Sequence, residues 1–303
     1  MDRILGRIKE FLFPCLYVMP SCPPYPSVRH FKLKEIKSAT ANFSTFMGSD
    51  CYGAIYRAQF SSGLIAAVRE VRNFGPENDA FYKQVQILGR LHHRHIVTLR
   101  GFSEGCDRFL IFDFVGNGSL KELLRDPLKT PLNWKTRLRI ATDVAAALEY
   151  LQYFCNPPIL YDFVDSSNVM LDENFAAKLS GMGALGSAGR HFCTSEFACS
   201  SETDQKRKHI MFQFGVLILE LITGQYLGNG EMEVVEWVQG SGFTNSMHNM
   251  VDADLGYSYD SNELKSLLII ARLCTKNDGE PMISVPQVLR YLQRRIEASI
   301  SHV

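Results

Sequence analysis

The sequence predicts an α+β protein in which a small antiparallel sheet with one helix is followed by a larger helical part. Three observations support this prediction. Short β-rich runs separated by glycine turns fill the chain up to Val115. The Gly116–Gly118 stretch ends that pattern, and helical periodicity dominates thereafter. Finally, 303 residues with 46% hydrophobic content are enough to bury a sizeable core, in one large domain or two packed lobes.

The first part begins with a short helix, because Leu33, Ile36 and Ala39 recur at helical spacing. Strands then follow, since β-branched and aromatic residues occur in short runs bounded by turns. The predicted strands cover residues 46–60, as two strands around a glycine turn, and residues 64–72, 96–102 and 109–115. After the third strand, Asn78 is a suitable cap for the one helix of this sheet, over residues 79–91.

The second part is predicted from amphipathic helices. Residues 134–153 carry a single apolar stripe, so one face of this helix should be buried. Residues 211–222 are apolar almost all round. A helix of about a dozen residues is too short to span a membrane, so we predict that it lies in the centre of the larger lobe. Two more amphipathic helices are predicted over residues 264–274 and 288–296.

Charge and cysteine content argue against several classes of function. Thirty-two basic residues balance thirty-two acidic ones, so no strong field draws the chain to nucleic acid or to an anionic membrane. The eight cysteines include no CxxC pair, and the closest two, Cys193 and Cys199, match no common zinc pattern. We therefore predict reduced thiols in a cytosolic protein, with no metal site.

Residues 1–30 are predicted to form a flexible N-terminal arm. Its apolar run, residues 11–22, is interrupted by two prolines and is too short for a transmembrane helix. Basic residues precede the run, as in a signal peptide, but no small-residue cleavage site follows it. Cys15 and Cys22 are candidate sites for palmitoylation, while the Pro-rich stretch after them favours a simple flexible arm.

Several strings occur in a characteristic order: FKLKEIKSATANFS, LHHRHIVTLRGF, FLIFDFVGNGSLKELL, SSNVMLDENFAAKLS and FGVLILELITG. Together they resemble the protein kinases, and most of all plant receptor-like kinases and their cytoplasmic relatives. The resemblance covers residues 31–295. It implies a bilobal kinase-like fold, with an N-lobe over 31–115 that includes a juxtamembrane-like segment, a helical C-lobe over 116–296 and a tail over 297–303.

The resemblance also implies where the nucleotide phosphates would lie. Phosphoryl transfer needs a covered triphosphate, a lysine held by a glutamate, metal ligands and a base. The glycine loop would run from Gly48 to Gly53, but Asp50 replaces its middle glycine and brings negative charge towards the phosphates. Arg69 stands at the lysine position and Gln84 at the glutamate position. A planar guanidinium does not reproduce a compact ammonium, although an amide can still accept a hydrogen bond from it.

The catalytic loop departs further from the family. Phe163 stands at the position of the base, and a phenyl ring cannot accept a proton. Asp165 stands where the family has a lysine, and Gly181 where it has a metal-binding aspartate. Only Asn168 matches, and one amide cannot hold Mg²⁺, which favours carboxylates together with phosphates. Asp162 lies one residue before the base position, so its use as a substitute base is an alternative.

Apolar positions of the family are retained. Those that would form a vestigial nucleotide pocket are Ile55, Ala67, Phe112, Phe114 and Met170, and those of the hydrophobic stack that joins the lobes are Leu88, Leu99, Tyr161 and Met182. The same residue types would also serve as ordinary core. The aspartate that ties the catalytic loop to the central helix in the family is replaced by Ile210. The chain thus keeps what folds the domain and departs where chemistry occurs.

The expected protein is a pseudokinase, a catalytically impaired receptor-like kinase that acts by binding proteins, for example an active receptor-like kinase. It would require no cofactor, any ATP binding would be weak, and no Mg²⁺ would be held. It would lie in the cytoplasm, with access to the inner face of the plasma membrane through a partner or through cysteine lipidation. Two alternatives remain: a weakly active or atypical serine/threonine kinase that binds ATP and uses Asp162 or Asp165, and a degenerate copy without a selected role.

Overall fold

The computed structural model describes residues 28–49, 53–72, 78–105, 107–126, 132–161, 164–180, 200–227, 231–276 and 283–300. Its strands are β1 (Arg29–His30), β2 (Phe46–Ser49), β3 (Ala54–Gln59), β4 (Ile65–Glu70), β5 (Leu99–Ser103), β6 (Phe109–Asp113), β7 (Val169–Leu171) and β8 (Ala177–Leu179). Its α-helices are α1 (Leu33–Ala39), α2 (Asn78–Arg90), α3 (Leu120–Arg125), α4 (Trp134–Glu149), α5 (Ser200–Thr223), α6 (Glu231–Gln239), α7 (Phe243–Ser246), α8 (Ser261–Cys274) and α9 (Val285–Ile300).

The N-lobe sheet is mostly antiparallel, as predicted, with one parallel pair of strands at its edge. Its order is β1-β5-β6-β4-β3-β2, and β1 pairs with β5 in parallel, with Arg29 opposite Gly101. Gly101 permits this approach, because a Cβ there would lie 2.3 Å from the Arg29 carbonyl oxygen and from the Phe31 ring. Arg29 and His30, which we assigned to the arm, therefore already belong to the lobe.

The two faces of this sheet pack against different parts of the chain. Phe31 and Ile36, on either side of the start of α1, are buried with Val68 and Ile111 on the outer face. This packing gives the juxtamembrane-like segment a structural role as a cover of the sheet. The inner face joins α2 and the C-lobe in one continuous core, which includes Leu110.

The C-lobe is built around α5, as predicted, but this helix begins at Ser200, well before the predicted residue 211. The added turns are rich in Glu, Lys, Arg and Gln, which favour helix without producing the apolar periodicity on which the prediction relied. Helices α8 and α4 both contact α5, and α9 packs against α4. Helix α4 continues as one π-helical turn, Tyr150–Phe154, in agreement with the long helix predicted there.

Two elements beside the catalytic loop are absent from the prediction. One is the β7–β8 hairpin, in which Val169 lies opposite Leu179. The other is α3, which Ser119 and Glu122 stabilise through a reciprocal capping box. The S-x-x-E signature of that box is present in the sequence and could have revealed α3. Hairpin and helix together position the catalytic loop between them, and the Lys121 amide donates to the Ser166 carbonyl oxygen over 3.0 Å.

Candidate functional site

The inner face of the N-lobe sheet carries most of the predicted nucleotide pocket. Strand pairing places Ile55 opposite Arg69, and Ala67 opposite Phe112. Since side chains alternate along a strand, these four residues share one face. Ile55 and Ala67 are half-buried, whereas Phe112 is buried. The structure therefore brings together these predicted pocket residues at the boundary between the lobes.

The two remaining apolar pocket residues lie on other elements. Phe114 follows β6, and the Arg57 guanidinium lies over its ring at 5.3 Å from the centroid. Met170 lies on β7, in a bridge to Ser119. Both side chains are half-buried. A neutral adenine-sized group would meet apolar walls here, although this lining alone has no preference for a charged ligand.

The two glycines of the predicted glycine loop, Gly48 and Gly53, have different surroundings. Gly53 adopts φ +154°, and a Cβ there would lie 2.2 Å from the Glu70 carbonyl oxygen, so the backbone approach between strands itself requires glycine. Gly48 has open space around its Cα. Asp50 lies outside the described residues. Gly53 is therefore accounted for without a phosphate ligand, whereas nothing around position 48 requires a glycine.

Arg69, at the lysine position, is only 6% exposed. Burial lowers the pKa of its guanidinium to about 10, while the nearby Tyr161 phenol acts in the opposite direction. Gln84 on α2 is 7% exposed, and among the described residues its carbonyl oxygen accepts no hydrogen bond. The hydrogen bond from Arg69 to Gln84 that the sequence allowed is thus not formed. A buried cation at the lysine position and a buried neutral amide at the glutamate position thus stand where the family has an ion pair.

The catalytic loop retains its frame around Asn168. The Tyr161 hydroxyl donates to the Ser180 carbonyl oxygen over 2.8 Å, and the Ser180 amide donates to the Asn168 carbonyl oxygen, also over 2.8 Å. Tyr161 is 1% exposed and, like Leu88 and Leu99, is buried where the hydrophobic stack predicts. The chain just before Gly181 is therefore held from two sides. Gly181 itself lies outside the described residues, as do the positions Asp162, Phe163 and Met182.

Asp165 has a local structural role. Its carboxylate accepts the Ser167 amide over 2.6 Å, and its carbonyl oxygen accepts the Asn168 amide over 2.9 Å. A carboxylate that closes its own turn in this way is partly neutralised by backbone dipoles. Asp165 thus stabilises the loop that presents Asn168, but it supplies negative charge where the family has a cation.

Gln213 takes over the tether that Ile210 cannot provide. Its amide oxygen accepts the backbone N–H of Val164 over 3.0 Å, while Ile210 is buried one turn earlier on α5. The Gln213 amide nitrogen also lies 3.0 Å from a ring nitrogen of His209. Sequence reasoning missed this residue. The sequence feature that could have revealed it is a single amide side chain within the largely apolar residues 211–222, because polar groups packed among apolar ones require hydrogen-bond partners.

Two buried ionisable residues, one from each lobe, contact the β7–β8 hairpin. The Asp143 carboxylate on α4 accepts the Ala177 amide over 2.9 Å, and the His95 ring lies 2.9 Å from the Ala177 carbonyl oxygen. Burial raises the pKa of Asp143 to about 6 and lowers that of His95. The two side chains bind the N–H and the C=O of one residue of β8, Ala177, and lie 3.4 Å apart. Their role is therefore to hold the hairpin in place.

Glu220 is, after Gln213, the second polar residue in the apolar part of α5, and it is 3% exposed. Its carboxylate accepts the Leu227 amide over 3.0 Å. Burial raises its pKa from 4.5 to about 7, and the Asp165 charge acts in the same direction. Part of the Glu220 population is therefore protonated near neutral pH, and the folded state resists its ionisation.

Glu220→Gln should stabilise the protein increasingly as pH rises. Glutamine keeps an oxygen for the Leu227 amide but never ionises. Since the folded pKa of Glu220 exceeds its unfolded value, wild type loses stability as pH rises from about 5 to about 7, by at most about 3 kcal/mol. Urea unfolding of both proteins at pH 5, 6, 7 and 8 measures the difference. A difference that stays constant with pH would contradict the assignment.

The described residues contain no cluster of three or more metal-ligating side chains. Within the same residues, no helix is both long and apolar enough to cross a membrane.

Comparison with known proteins agrees with this architecture. Residues 41–252 match the family of protein tyrosine and serine/threonine kinases. A probable receptor-like protein kinase of Arabidopsis thaliana is 36% identical over 286 residues, which cover 87% of this chain and only 43% of that protein. The probable serine/threonine-protein kinase PBL21 of the same plant is 30% identical over 305 residues, covering 92% of this chain and 80% of its own length.

Solved structures give the same fold. The pseudokinase domain of BIR2, described as an immune regulator of the RLK/Pelle family, aligns with a TM-score of 0.73 and 28% identity, covering 88% of this chain and 85% of that one. An apo pseudokinase, GRMZM2G135359, aligns with a TM-score of 0.72 and 24% identity, over 89% of this chain and 94% of that one; at this identity the likeness concerns the fold alone. These findings confirm the predicted bilobal fold, and the chain belongs to the protein kinase family, among the receptor-like kinases and their cytoplasmic relatives.

Proposed function

We propose that this chain is a pseudokinase, a catalytically impaired receptor-like kinase that acts by protein–protein interaction in kinase signalling. The observation that carries the proposal is that Arg69, at the lysine position, and the neutral Gln84, at the glutamate position, are both buried. In an active kinase this position holds a lysine that a glutamate orients towards the phosphates. A guanidinium has a different shape and hydrogen-bonding pattern, and no acidic residue occupies the glutamate position to orient it.

The catalytic loop supports the same proposal. Asp165 uses its carboxylate within its own turn, and the sequence has Phe163 and Gly181 at the positions of the base and of the metal-binding carboxylate. The frame of the loop is nevertheless maintained, with Gln213 as its tether to α5. Retention of the frame without the chemistry is what a binding function requires.

An active receptor-like kinase is the partner that we propose. The structurally similar BIR2 domain is described as an immune regulator, and a kinase-like surface is suited to contact with other kinase domains. We place the protein in the cytoplasm, with recruitment to the inner face of the plasma membrane through the partner or through lipidation of Cys15 or Cys22. No bound cofactor is needed for this function.

A second candidate function is a weakly active or atypical serine/threonine kinase. Asn168 matches a metal ligand of the family, and the similar Arabidopsis proteins are named as kinases. The two candidates differ in what ATP and metal do to the protein. A kinase with residual activity needs metal-bound nucleotide, whereas a binding protein does not.

Thermal unfolding with ATP, in the presence and absence of Mg²⁺, tests the proposal. We expect no metal-dependent shift in Tm, because the sequence has no carboxylate at the Gly181 position to bridge metal and phosphates. A catalytically competent receptor-like kinase domain, measured in parallel, should show such a shift. A rise of several degrees that requires both Mg²⁺ and ATP would favour the second candidate.

A further inference from the structure

An uncharged apolar patch lies at the end of the α4 helix. Phe154 is 72% exposed and its neighbour Tyr153 is 52% exposed. Both belong to the π-helical turn that extends α4, and half-buried Cys155 follows them. Two adjacent exposed aromatic side chains are costly to leave in water. They mark a surface that another apolar group can cover.

The surroundings of the patch extend it towards the N-lobe. The His92 amide donates to the Tyr150 hydroxyl over 3.2 Å, and the His93 ring stacks on the Tyr150 ring with 4.9 Å between centroids. Burial lowers the pKa of His93 to about 4, so this ring is uncharged at neutral pH. An aromatic surface therefore continues from the patch to the turn that follows α2.

The described chain begins at that same place. Val28 packs on α2 at Gly89, where an added Cβ would lie 2.4 Å from a methyl carbon of Val28. Gly89 is three residues ahead of His92, so no more than about 11 Å of chain separates them. Residues that precede Val28 thus start beside the aromatic surface.

The sequence before Val28 contains a suitable occupant. Residues 11–19, FLFPCLYVM, have no charged side chain. Eight residues, 20–27, join them to Val28, and four of these eight are proline. A Pro-rich linker extends about 3.1 Å per residue, so the join spans roughly 25 Å. That length exceeds the roughly 11 Å from Gly89 to His92, and the His92 amide bonds Tyr150, one helical turn before Phe154. Tethering also gives the run a higher local concentration than a separate partner would have.

We propose that residues 11–19 dock on the Tyr153–Phe154 patch of the same chain. The proposal is independent of the catalytic status of the protein. In this arrangement the apolar run covers the two aromatic side chains, and Cys15, at the centre of the run, lies near Cys155. The arm is then part of the folded protein, where the sequence alone suggests a flexible extension or a lipid-bearing segment.

Hydrogen exchange of the full chain tests the docking. Amides of residues 11–19 should exchange at least tenfold more slowly in wild type than in a Tyr153→Ser/Phe154→Ser variant. Tyr257→Ser is the matched control, because Tyr257 is 98% exposed elsewhere on the C-lobe, and its exchange should equal that of wild type. Exchange within α4 reports whether each variant is folded. If the double variant does not fold, the single variant Phe154→Ser replaces it in the comparison.

Cross-linking identifies the occupant. At low protein concentration, a short thiol cross-linker should join Cys15 to Cys155 within one chain, and the Phe154→Ser substitution should reduce this product. Fast exchange of residues 11–19 in all three proteins would overturn the proposal. Cross-links between chains that increase with concentration would instead assign the patch to a second copy. Protection only after adding phospholipid vesicles would assign the run to a membrane. Either result also overturns the proposal.

Discussion

When the purified protein is given labelled ATP, Mg²⁺ or Mn²⁺ and a generic protein substrate, we expect no incorporation of labelled phosphate above background. Loss of a general base alone typically costs about 10²–10⁴ in rate, and the phenyl ring of Phe163 offers no substitute. Without the carboxylate at Gly181, the metal cannot neutralise developing charge on the transferred group. These losses affect one catalytic unit and do not simply multiply, but a rate near that of the uncatalysed reaction is expected.

Two variants show whether any observed transfer belongs to this chain. Asp162→Asn removes the carboxylate that directly precedes the base position. Asp165→Asn removes the carboxylate at the family's lysine position, and an asparagine oxygen can still accept the Ser167 amide that closes the turn. Transfer that either substitution abolishes would overturn the pseudokinase proposal. Transfer that survives both would indicate a contaminating kinase. A competent receptor-like kinase, assayed in parallel, shows that the conditions support the reaction.

The fold was predictable because many independent strings occur in the order of the family's elements. Local chemistry also marked several elements correctly, such as Asn78 at the start of α2. The parallel strand β1 was not predictable from periodicity, since it consists of two residues only, Arg29 and His30. Their pairing depends on the missing side chain of Gly101, more than seventy positions later in the sequence. Such contacts over long sequence distances leave little local trace.

The candidate site was predictable in what it lacks and less so in what replaces it. Substitutions at Arg69 and Asp165 follow directly from position in the family. The tether from Gln213 does not, because it depends on which side chain of α5 reaches the loop in three dimensions. Glu220 and Gln213 could have been singled out as polar residues in an apolar helix, but their partners could not. The sequence therefore identifies positions, while hydrogen bonding shows how the structure accommodates the changes.

Arg137→Met should destabilise the protein by about 3–5 kcal/mol, the usual cost of removing one partner of a buried ion pair. Arg137 on α4 is 2% exposed and pairs with Asp252. It also donates to the carbonyl oxygens of Leu132 and Leu221, over 2.7 and 2.9 Å. One guanidinium thus joins the start of α4, the end of α5 and the segment before α8. Methionine fills similar volume but leaves two carbonyl groups without this donor, and the Asp252 carboxylate with only the Asp254 amide.

The double variant Arg137→Met/Asp252→Asn separates charge from packing. Removing the carboxylate's charge as well should recover part of the loss, since the remaining defect is then unpaired carbonyl groups. Arg72→Met is the exposed control: its guanidinium bonds Glu70 over 2.7 Å but is 62% exposed, so its loss should destabilise the protein far less than the loss of Arg137. Urea unfolding measures all three variants against wild type. Equal losses for Arg137→Met and Arg72→Met would mean that the buried pair does not hold these helices together, and the C-lobe would then depend on apolar packing around α5 alone.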